Sequence, residues 1–146
     1  MDLIASIGKG PVALDSAIFI YFIEQHQQYL SLLQPLFAEI DRGALQGVTS
    51  VLTLFETLVV PYRAGDRELA SNYEAILVSG RGLLLVPIDL PLIRLAAHVR
   101  ASTSARTADA LQIATALSTK CTAFITNDKR LPALPGLQVL QLQSFV

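Results

Sequence analysis

Cysteine, histidine and tryptophan are scarce in this sequence, which has one, two and none of them, respectively. A lone cysteine, Cys121, excludes an internal disulfide and a metal site built from cysteines. Cys121 begins an apolar, strand-like segment, which predicts a small buried side chain rather than a reactive thiol. His26 and His98 are isolated on predicted helices, so we expect surface or packing positions for them. Metal sites that need sulfur or imidazole are therefore not predicted.

Charged residues are also few, at 16%, whereas apolar residues make up 52% of the chain. This balance excludes a disordered protein and indicates that some apolar surface is used for association. No apolar run approaches the length of a membrane span, which is about 18 residues. The first ten residues lack a basic segment, and their apolar stretch is too short for a signal peptide. A cytoplasmic protein is therefore expected.

Short apolar segments that resemble strands alternate with helical patterns along the chain. Strands are predicted at about 11–15, 47–49, 83–86, 122–126 and 137–142. Helices are predicted at about 18–24, 28–42, 51–61, 66–79, 90–102 and 108–119, with Ser50, Asp66 and Thr107 as N-caps and Gly80 as a stop. Such alternation is typical of an α/β fold in which helices cover both faces of a parallel sheet. No repeat or linker is found, so residues 1–146 are expected to form a single domain with its core at about 11–142.

Four carboxylates occur inside or at the ends of these apolar segments, namely Asp15, Glu56, Asp109 and Asp128. Carboxylates are rarely buried unless they are paired or bind a cation. Asp15 and Asp128 end predicted strands, and Asp109 begins a predicted helix. In a parallel sheet these ends meet at one edge, where ligands bind. We therefore expect the four side chains to form one acidic site.

Each acid also has a simpler interpretation, which the sequence leaves open. Asp109 is compatible with a role at the positive end of a helix dipole. Asp15 and Asp128 are compatible with turns at strand ends. Glu56 fits such a role least, because its neighbours on the helix offer no solvated polar stripe; they are Leu52, Thr53, Val59 and Val60. Glu56 is therefore expected inside the protein.

The four carboxylates of such a site repel one another, and this repulsion determines which ligand the site binds. Neighbouring carboxylates raise one another's pKa, and a hard divalent cation relieves this. An all-oxygen ligand set selects Mg²⁺ or Mn²⁺, which activate water against phosphodiester bonds. Without the four acids the chain has eight acidic and eleven basic residues, a balance that suits an anionic substrate. Replacing Asp109 or Asp128 by Asn is expected to stabilise the metal-free protein, because one repelling charge is removed.

Four segments that contain these acids resemble the PIN domain, and most of all its small stand-alone bacterial members, including the VapC-type toxins. Leu14–Glu24 is similar to the opening strand and helix of that family, and Thr49–Glu56 to the segment with the second acid. Arg106–Leu117 and Phe124–Leu131 are similar to the segments with the third and fourth acids. The last two segments are specific in combination, and the resemblance covers about residues 11–142.

The resemblance implies a five-stranded parallel sheet between two layers of helices. It implies a Mg²⁺- or Mn²⁺-dependent ribonuclease in which Asp15, Glu56, Asp109 and Asp128 hold the metal. It also implies a homodimer and, in many members, a cognate antitoxin. The sequence departs from the family at Ala17, where Asn or Ser is frequent, so Ser16 or Asn127 is expected to donate hydrogen bonds to the ligands.

The homodimer is also indicated by apolar residues in excess of what one small sheet needs. They occur in the helices at about 28–42 and 51–79 and are Leu32, Leu36, Phe37, Leu54, Phe55, Val60 and Tyr62. The predicted interface uses part of residues 51–79.

Other classes fit less well. Gly8–Pro11 is not a phosphate loop, because it precedes the first strand and no Ser or Thr follows Lys9. Ala17 stands where an aspartyl phosphatase needs a second Asp. The remaining alternative is a PIN-like interaction domain that binds RNA or a protein without cutting. A cleavage assay with divalent metal separates the two hypotheses.

Overall fold

Five parallel strands form the centre of the protein. A computed structural model describes residues 2–146. The strands are β1 Val12–Leu14, β2 Gly47–Ser50, β3 Leu83–Val86, β4 Ala123–Thr126 and β5 Gln138–Gln141. Their order in the sheet is β3-β2-β1-β4-β5, and every adjacent pair is parallel. The order reverses at β1, so a crevice is expected beyond the carboxyl ends of β1 and β4.

Helices connect the strands as the periodicity predicts. In residues 2–146 the α-helices are α1 Leu3–Ile7, α2 Ser16–Ile23, α3 Leu30–Asp41, α4 Val51–Ala64, α5 Arg67–Ser79, α6 Leu90–Ser102 and α7 Thr107–Ser118. A 3₁₀ helix, Leu142–Phe145, follows β5. The predicted three-layer α/β/α architecture with a five-stranded parallel sheet is confirmed. None of the helices within residues 2–146 has the length and apolarity needed to cross a membrane.

Alternating side chains of the strands point to two different helical layers. On one face, Val12 and Leu14 of β1 pack with helices α1, α2 and α3. On the other face, Ala13 of β1 and Phe124 of β4 pack with helices α6 and α7. The central strands β1 and β4 are buried on both faces, which explains why they read as apolar runs.

Helix caps account for most of the observed boundaries. The Ser50 hydroxyl accepts from the Leu52 backbone N–H at 3.0 Å, and the Asp66 carboxylate accepts from Leu69 N–H at 3.0 Å. The prediction that Thr107 caps α7 is wrong, because the helix begins at Thr107 itself. The Thr107 hydroxyl instead accepts a hydrogen bond from Arg100 at 2.6 Å.

Helix α1 is absent from the sequence-based prediction. It is only one turn long, which is too short for a helical period to be recognised. Its two buried side chains, Leu3 and Ile7, extend the core on the face formed by α2 and α3. Helix α1 therefore adds to the hydrophobic core.

The apolar excess is smaller than the sequence suggests. Leu36 is fully buried, and Leu32, Phe37 and Leu54 pack against the core. The residues that remain on the surface are Phe55, Val60 and Tyr62, which are 68%, 66% and 64% exposed. All three lie on α4. Cys121 is buried as predicted, and burial raises the pKa of its thiol.

Candidate active site

All four predicted acids line one cavity of about 570 Å³ at the carboxyl edge of the sheet. Asp15 directly follows β1 and is the N-cap of α2. Glu56 lies in the second turn of α4, and Asp109 lies in the first turn of α7. Asp128 follows the end of β4 by two residues. The wall is completed by Ser16, Ala17, Tyr21, Arg106, Ala108, Asn127 and Arg130.

Asp15 is held by hydrogen bonds to both of its oxygens. The Ser16 backbone N–H donates to Oδ1 at 2.8 Å, and the Thr126 hydroxyl donates to Oδ2 at 2.7 Å. Burial raises the pKa of Asp15, and the nearby charge of Asp128 raises it further, whereas the two hydrogen bonds oppose this. The result is an oriented carboxylate with a raised pKa.

Thr126 connects the first acid with the last. Its hydroxyl donates to Asp15, and its oxygen accepts from the Asp128 backbone N–H at 2.9 Å. Thr126 ends β4 and is fully buried, so its position is fixed by the sheet. This single side chain therefore sets where Asp128 lies relative to Asp15.

Glu56 and Asp109 face each other from α4 and α7. Burial is the main cause of the raised pKa of both. The charges of Asp15 and Asp109 raise the pKa of Glu56 further, and the charges of Asp128 and Asp15 raise the pKa of Asp109 further. The nearby polar side chains of Ser16 and Gln112 favour the charged form and oppose this rise in the pKa of Glu56. The expectation that Glu56 is fully inside is wrong: it is half-buried. Helix α4 is open to solvent on one side, as the exposure of Phe55 shows.

Asp128 differs from the other three, because its pKa is lowered. Arg130 is the cause: its Nε and Nη2 each donate to the Asp128 carboxylate at 3.0 Å, and its backbone N–H donates at 2.9 Å. The negative charge of Asp128 is thus already paired. For Asp128→Asn the structure therefore predicts the opposite of the sequence-based expectation, namely a less stable metal-free protein, because the substitution removes an attraction.

Of the two residues expected to support the acids, Ser16 contacts Asp15 through its backbone N–H. The amide of Asn127 is used elsewhere: its Nδ2 donates to the Tyr21 hydroxyl at 3.5 Å, and its Oδ1 accepts from Gln143 N–H at 2.8 Å. Asn127 therefore anchors the loop after β4 to α2 and to the C-terminal 3₁₀ helix.

The donor set fits Mg²⁺ or Mn²⁺, which bind through oxygen ligands. Within residues 2–146, no three His, Cys, Asp or Glu side chains lie close enough to hold a metal ion together. Mg²⁺ usually keeps several waters and uses one or two carboxylates directly, and the cavity has room for such a hydrated ion. The arrangement thus fits a metal with few protein ligands and several waters.

Sequence reasoning missed several polar residues at the site. Thr126 contacts Asp15 and Arg130 contacts Asp128. For Arg130, the available signal was the Asp-x-Arg spacing of a tight turn. Gln112 stands in an otherwise apolar helix, which was a signal for a buried polar contact. Arg106 was seen only as part of a motif, although it lies at the cavity wall.

The family model of the PIN domain matches residues 12–137, which includes all four acids. The chain belongs to the PIN domain family. No curated protein matches this PIN domain.

Solved structures with the same fold cover nearly the whole chain. A toxin-antitoxin complex from Klebsiella pneumoniae has a TM-score of 0.66 at 19% identity, covering 86% of this chain and 94% of that chain. VapBC2 from Rickettsia felis, bound to a DNA fragment from its promoter, has a TM-score of 0.64 at 18% identity, covering 89% and 97%. FitAcB from Neisseria gonorrhoeae has a TM-score of 0.66 at 16% identity, covering 90% and 98%. At these identities the likeness establishes a common fold.

Proposed function

We propose that this PIN domain is a Mg²⁺- or Mn²⁺-dependent endoribonuclease and the toxin of a toxin-antitoxin pair. The observation that carries the proposal is the position of Asp15, Glu56, Asp109 and Asp128 in one cavity at the carboxyl edge of the sheet. Membership of the PIN family and the fold shared with toxin-antitoxin complexes support it. The activity is proposed to act on RNA in the cytoplasm.

In this proposal the four acids line the metal site, one or two of them hold the ion directly and the others act through its bound waters, and each has a distinct environment. Bound metal would polarise a phosphoryl oxygen and lower the pKa of a water molecule. Asp15 is the best oriented ligand, because both of its oxygens accept hydrogen bonds. Glu56 and Asp109, whose pKa values are raised, are placed to accept hydrogen bonds from the attacking water. Asp128 becomes available when Arg130 leaves it.

Two arginines are placed to bind the substrate. Arg106 and Arg130 line the cavity and are exposed, and a guanidinium matches the geometry of a phosphate. Tyr21, at the same cavity, offers an aromatic ring against which a base can stack. The proposed substrate is single-stranded or looped RNA, because a base in a duplex does not reach such a ring.

We further propose a homodimer and a cognate antitoxin as partners. The exposed aromatic side chains Phe55 and Tyr62 on α4 support the homodimer. The antitoxin is proposed because three structures with this fold are named as complexes of a toxin with its antitoxin, or as VapBC or FitAB assemblies.

The test is cleavage of single-stranded RNA with Mg²⁺ or Mn²⁺ and with a chelator. Wild-type protein is expected to cut with metal and to be inactive in chelator. Asp15→Asn is expected to reduce the rate by at least about 100-fold, since even residues that only support a ligand cost 10- to 100-fold. Asp89→Asn is the matched control: Asp89 is likewise a helix N-cap, on α6, but lies outside the cavity. Equal rates for wild type and Asp15→Asn would contradict the proposal.

The alternative is a PIN domain that binds RNA or a protein without cutting. Two observations favour it: Arg130 already neutralises Asp128, and no three acids of residues 2–146 have the geometry of a metal site. Under this alternative, RNA is retained with micromolar affinity but stays intact with every divalent metal, and Asp15→Asn leaves the affinity unchanged.

A further inference from the structure

A row of buried polar side chains lies beneath the acidic cavity. Thr49, Thr53 and Gln112 are 1%, 0% and 4% exposed, and they come from β2, α4 and α7. The Gln112 amide Nε2 donates to Thr53 Oγ1 at 2.9 Å, Thr53 Oγ1 and Thr49 Oγ1 are 2.7 Å apart, and Thr49 Oγ1 donates to the Leu14 carbonyl at 2.9 Å. We call this the Gln112–Thr53–Thr49 chain.

The direction of every hydrogen bond in this chain is determined by counting protons. A hydroxyl has one hydrogen, and Thr49 uses its own on the Leu14 carbonyl. In the contact between the two hydroxyls, Thr53 must therefore donate and Thr49 accept. Thr53 is then free to accept from Gln112. The dipoles run in one direction from amide to carbonyl, an arrangement in which the bonds strengthen one another.

Gln112, Thr53 and Leu14, which take part in the Gln112–Thr53–Thr49 chain, are each close in sequence to one of the acids. Gln112 follows Asp109 by three residues on α7, and Thr53 precedes Glu56 by three residues on α4. Side chains with this spacing lie on the same face of a helix. Leu14, which accepts the last hydrogen bond, directly precedes Asp15. The chain thus connects the three elements that carry Asp15, Glu56 and Asp109.

Apolar side chains of equal size could fill these buried positions, and no polar group would then have to lose its hydration. Hydrogen bonds, in contrast, fix distance and orientation between the elements they join. We propose that the Gln112–Thr53–Thr49 chain keeps Asp15, Glu56 and Asp109 in place around the cavity in which a hydrated metal ion would bind, so that Thr53 and Gln112 are positioning residues of the site. The inference rests on the proposed function, since it concerns the metal held by those acids.

The test is the affinity of the full-length protein for Mn²⁺, measured by electron paramagnetic resonance without RNA. Thr53→Val keeps the shape of the side chain and removes the link between Gln112 and Thr49. It is expected to raise the Kd for Mn²⁺ about 10-fold, the lower end of what supporting residues of metal sites contribute. Thr53→Ser keeps the hydroxyl and is expected to restore affinity to within about twofold of wild type.

Thr57→Val is the matched control for Thr53→Val. Thr57 is on the same helix, is 2% exposed, and donates its hydroxyl only to the main-chain carbonyls of Thr53 and Leu54. A similar control on α7 is Thr115→Val, because Thr115 donates to the Leu111 carbonyl. Both controls remove a buried threonine hydroxyl outside the chain, and both are expected to leave the Kd for Mn²⁺ unchanged.

Gln112→Met provides a second variant if Thr53→Val does not melt cooperatively. It removes the donor at the start of the chain and is expected to weaken Mn²⁺ binding to a similar extent. If wild type binds Mn²⁺ and Thr53→Val or Gln112→Met binds it as tightly as Thr57→Val, the inference is overturned while the proposed function stands. If wild type itself binds no Mn²⁺, the proposed function is overturned and the inference with it.

Discussion

Asp128 and Asp109 line the same cavity, yet their pKa values are shifted in opposite directions. Burial and the charges of Asp128 and Asp15 raise the pKa of Asp109. Two hydrogen bonds from the Arg130 guanidinium lower the pKa of Asp128. The site in its metal-free form therefore contains one carboxylate whose charge is compensated by the protein and others whose charges are not.

The pair of Arg130 and Asp128 leads to a prediction about metal affinity. Arg130→Gln is expected to lower the Kd for Mn²⁺ by up to about fivefold, because a metal no longer competes with an exposed ion pair worth up to about 1 kcal/mol. Titration calorimetry measures this. Lys129→Gln is the control, since it removes a charge at the neighbouring position, and Lys129 is in neither of the ion pairs found in residues 2–146. Weaker binding by Arg130→Gln would mean that Arg130 supports the site.

The raised pKa of Asp109 predicts how stability depends on pH. A carboxyl whose pKa is raised on folding disfavours the folded state once it ionises. The penalty is absent below the unfolded value of 3.8, develops as the pH rises through the folded value, and is complete above it. In chelator, Asp109→Asn is therefore expected to melt at a higher temperature than wild type at neutral pH, with a difference that shrinks toward about pH 4.

Asp128→Asn is the informative comparison for that measurement, because the pKa of Asp128 is lowered. Its stabilising contribution is present above the unfolded value and is lost as the pH falls, so this variant is expected to melt at a lower temperature than wild type at neutral pH. If Asp109→Asn also melted lower at neutral pH, the favourable contact of Asp109 with the N-terminus of α7 would outweigh repulsion within the cavity.

At the scale of elements, α4 has two different roles. Its buried face, with Thr53 and Thr57, packs inside the protein and carries the hydrogen bonds described above. Its other face exposes Phe55 and Tyr62, which are seven residues apart and thus two turns apart on the same side. Large aromatic side chains on one exposed helix face are typical of a protein interface.

This face predicts the association state. Wild-type protein is expected to be a dimer at micromolar concentration, and Phe55→Glu is expected to be a monomer, because a charge at the centre of an apolar interface is costly to desolvate. Light scattering after size-exclusion chromatography measures the mass. Leu90→Glu is the control: Leu90 is similarly exposed but begins α6, where a negative charge is favourable. The prediction is contradicted if wild-type protein, purified without any antitoxin, has the mass of a monomer.

The sequence predicts elements better than it predicts contacts between them. The strands at Leu83–Val86 and Ala123–Thr126 follow from short apolar runs, and the cap of α4 follows from Ser50. Thr107 was misassigned, because its hydroxyl has a partner, Arg100, on another helix. The local pattern contains no information about that partner.

The same distinction applies to the cavity. The four acids could be named from the sequence, since each interrupts an apolar segment. Their supporting contacts could not, because Thr126 reaches Asp15 across 111 positions and Gln112 reaches Thr53 across 59. Such pairs are brought together by the strand order, with β1 between β2 and β4. Arg130 is only two residues from Asp128 in the sequence. That it lowers the pKa of Asp128, while the pKa values of the other three acids are raised, could be seen only in the structure.

For the whole molecule, metal binding and folding are coupled. Mg²⁺ or Mn²⁺ is expected to bind the folded cavity and not the separated acids of the unfolded chain. The free energy of unfolding should then rise by about 2.7 kcal/mol at a hundredfold excess over the Kd. Thermal melts measure the shift, and sodium chloride at matched ionic strength should not reproduce it. Asp15→Asn should show a reduced response. A melting temperature that ignores divalent ions would contradict a metal site.

The order of the strands has a consequence for synthesis of the protein. β1 is the central strand, but its neighbour β4 and the acid that follows it, Asp128, come more than 100 residues later in the sequence. A nascent polypeptide that has not yet emerged as far as β4 lacks Thr126, the donor to Asp15, and also lacks the fourth acid. If the proposed function is correct, an unfinished chain is thus catalytically incomplete however well its first half has folded. Under the proposed function, the ribosome and the message being translated meet no active nuclease until the residues as far as Asp128 have emerged.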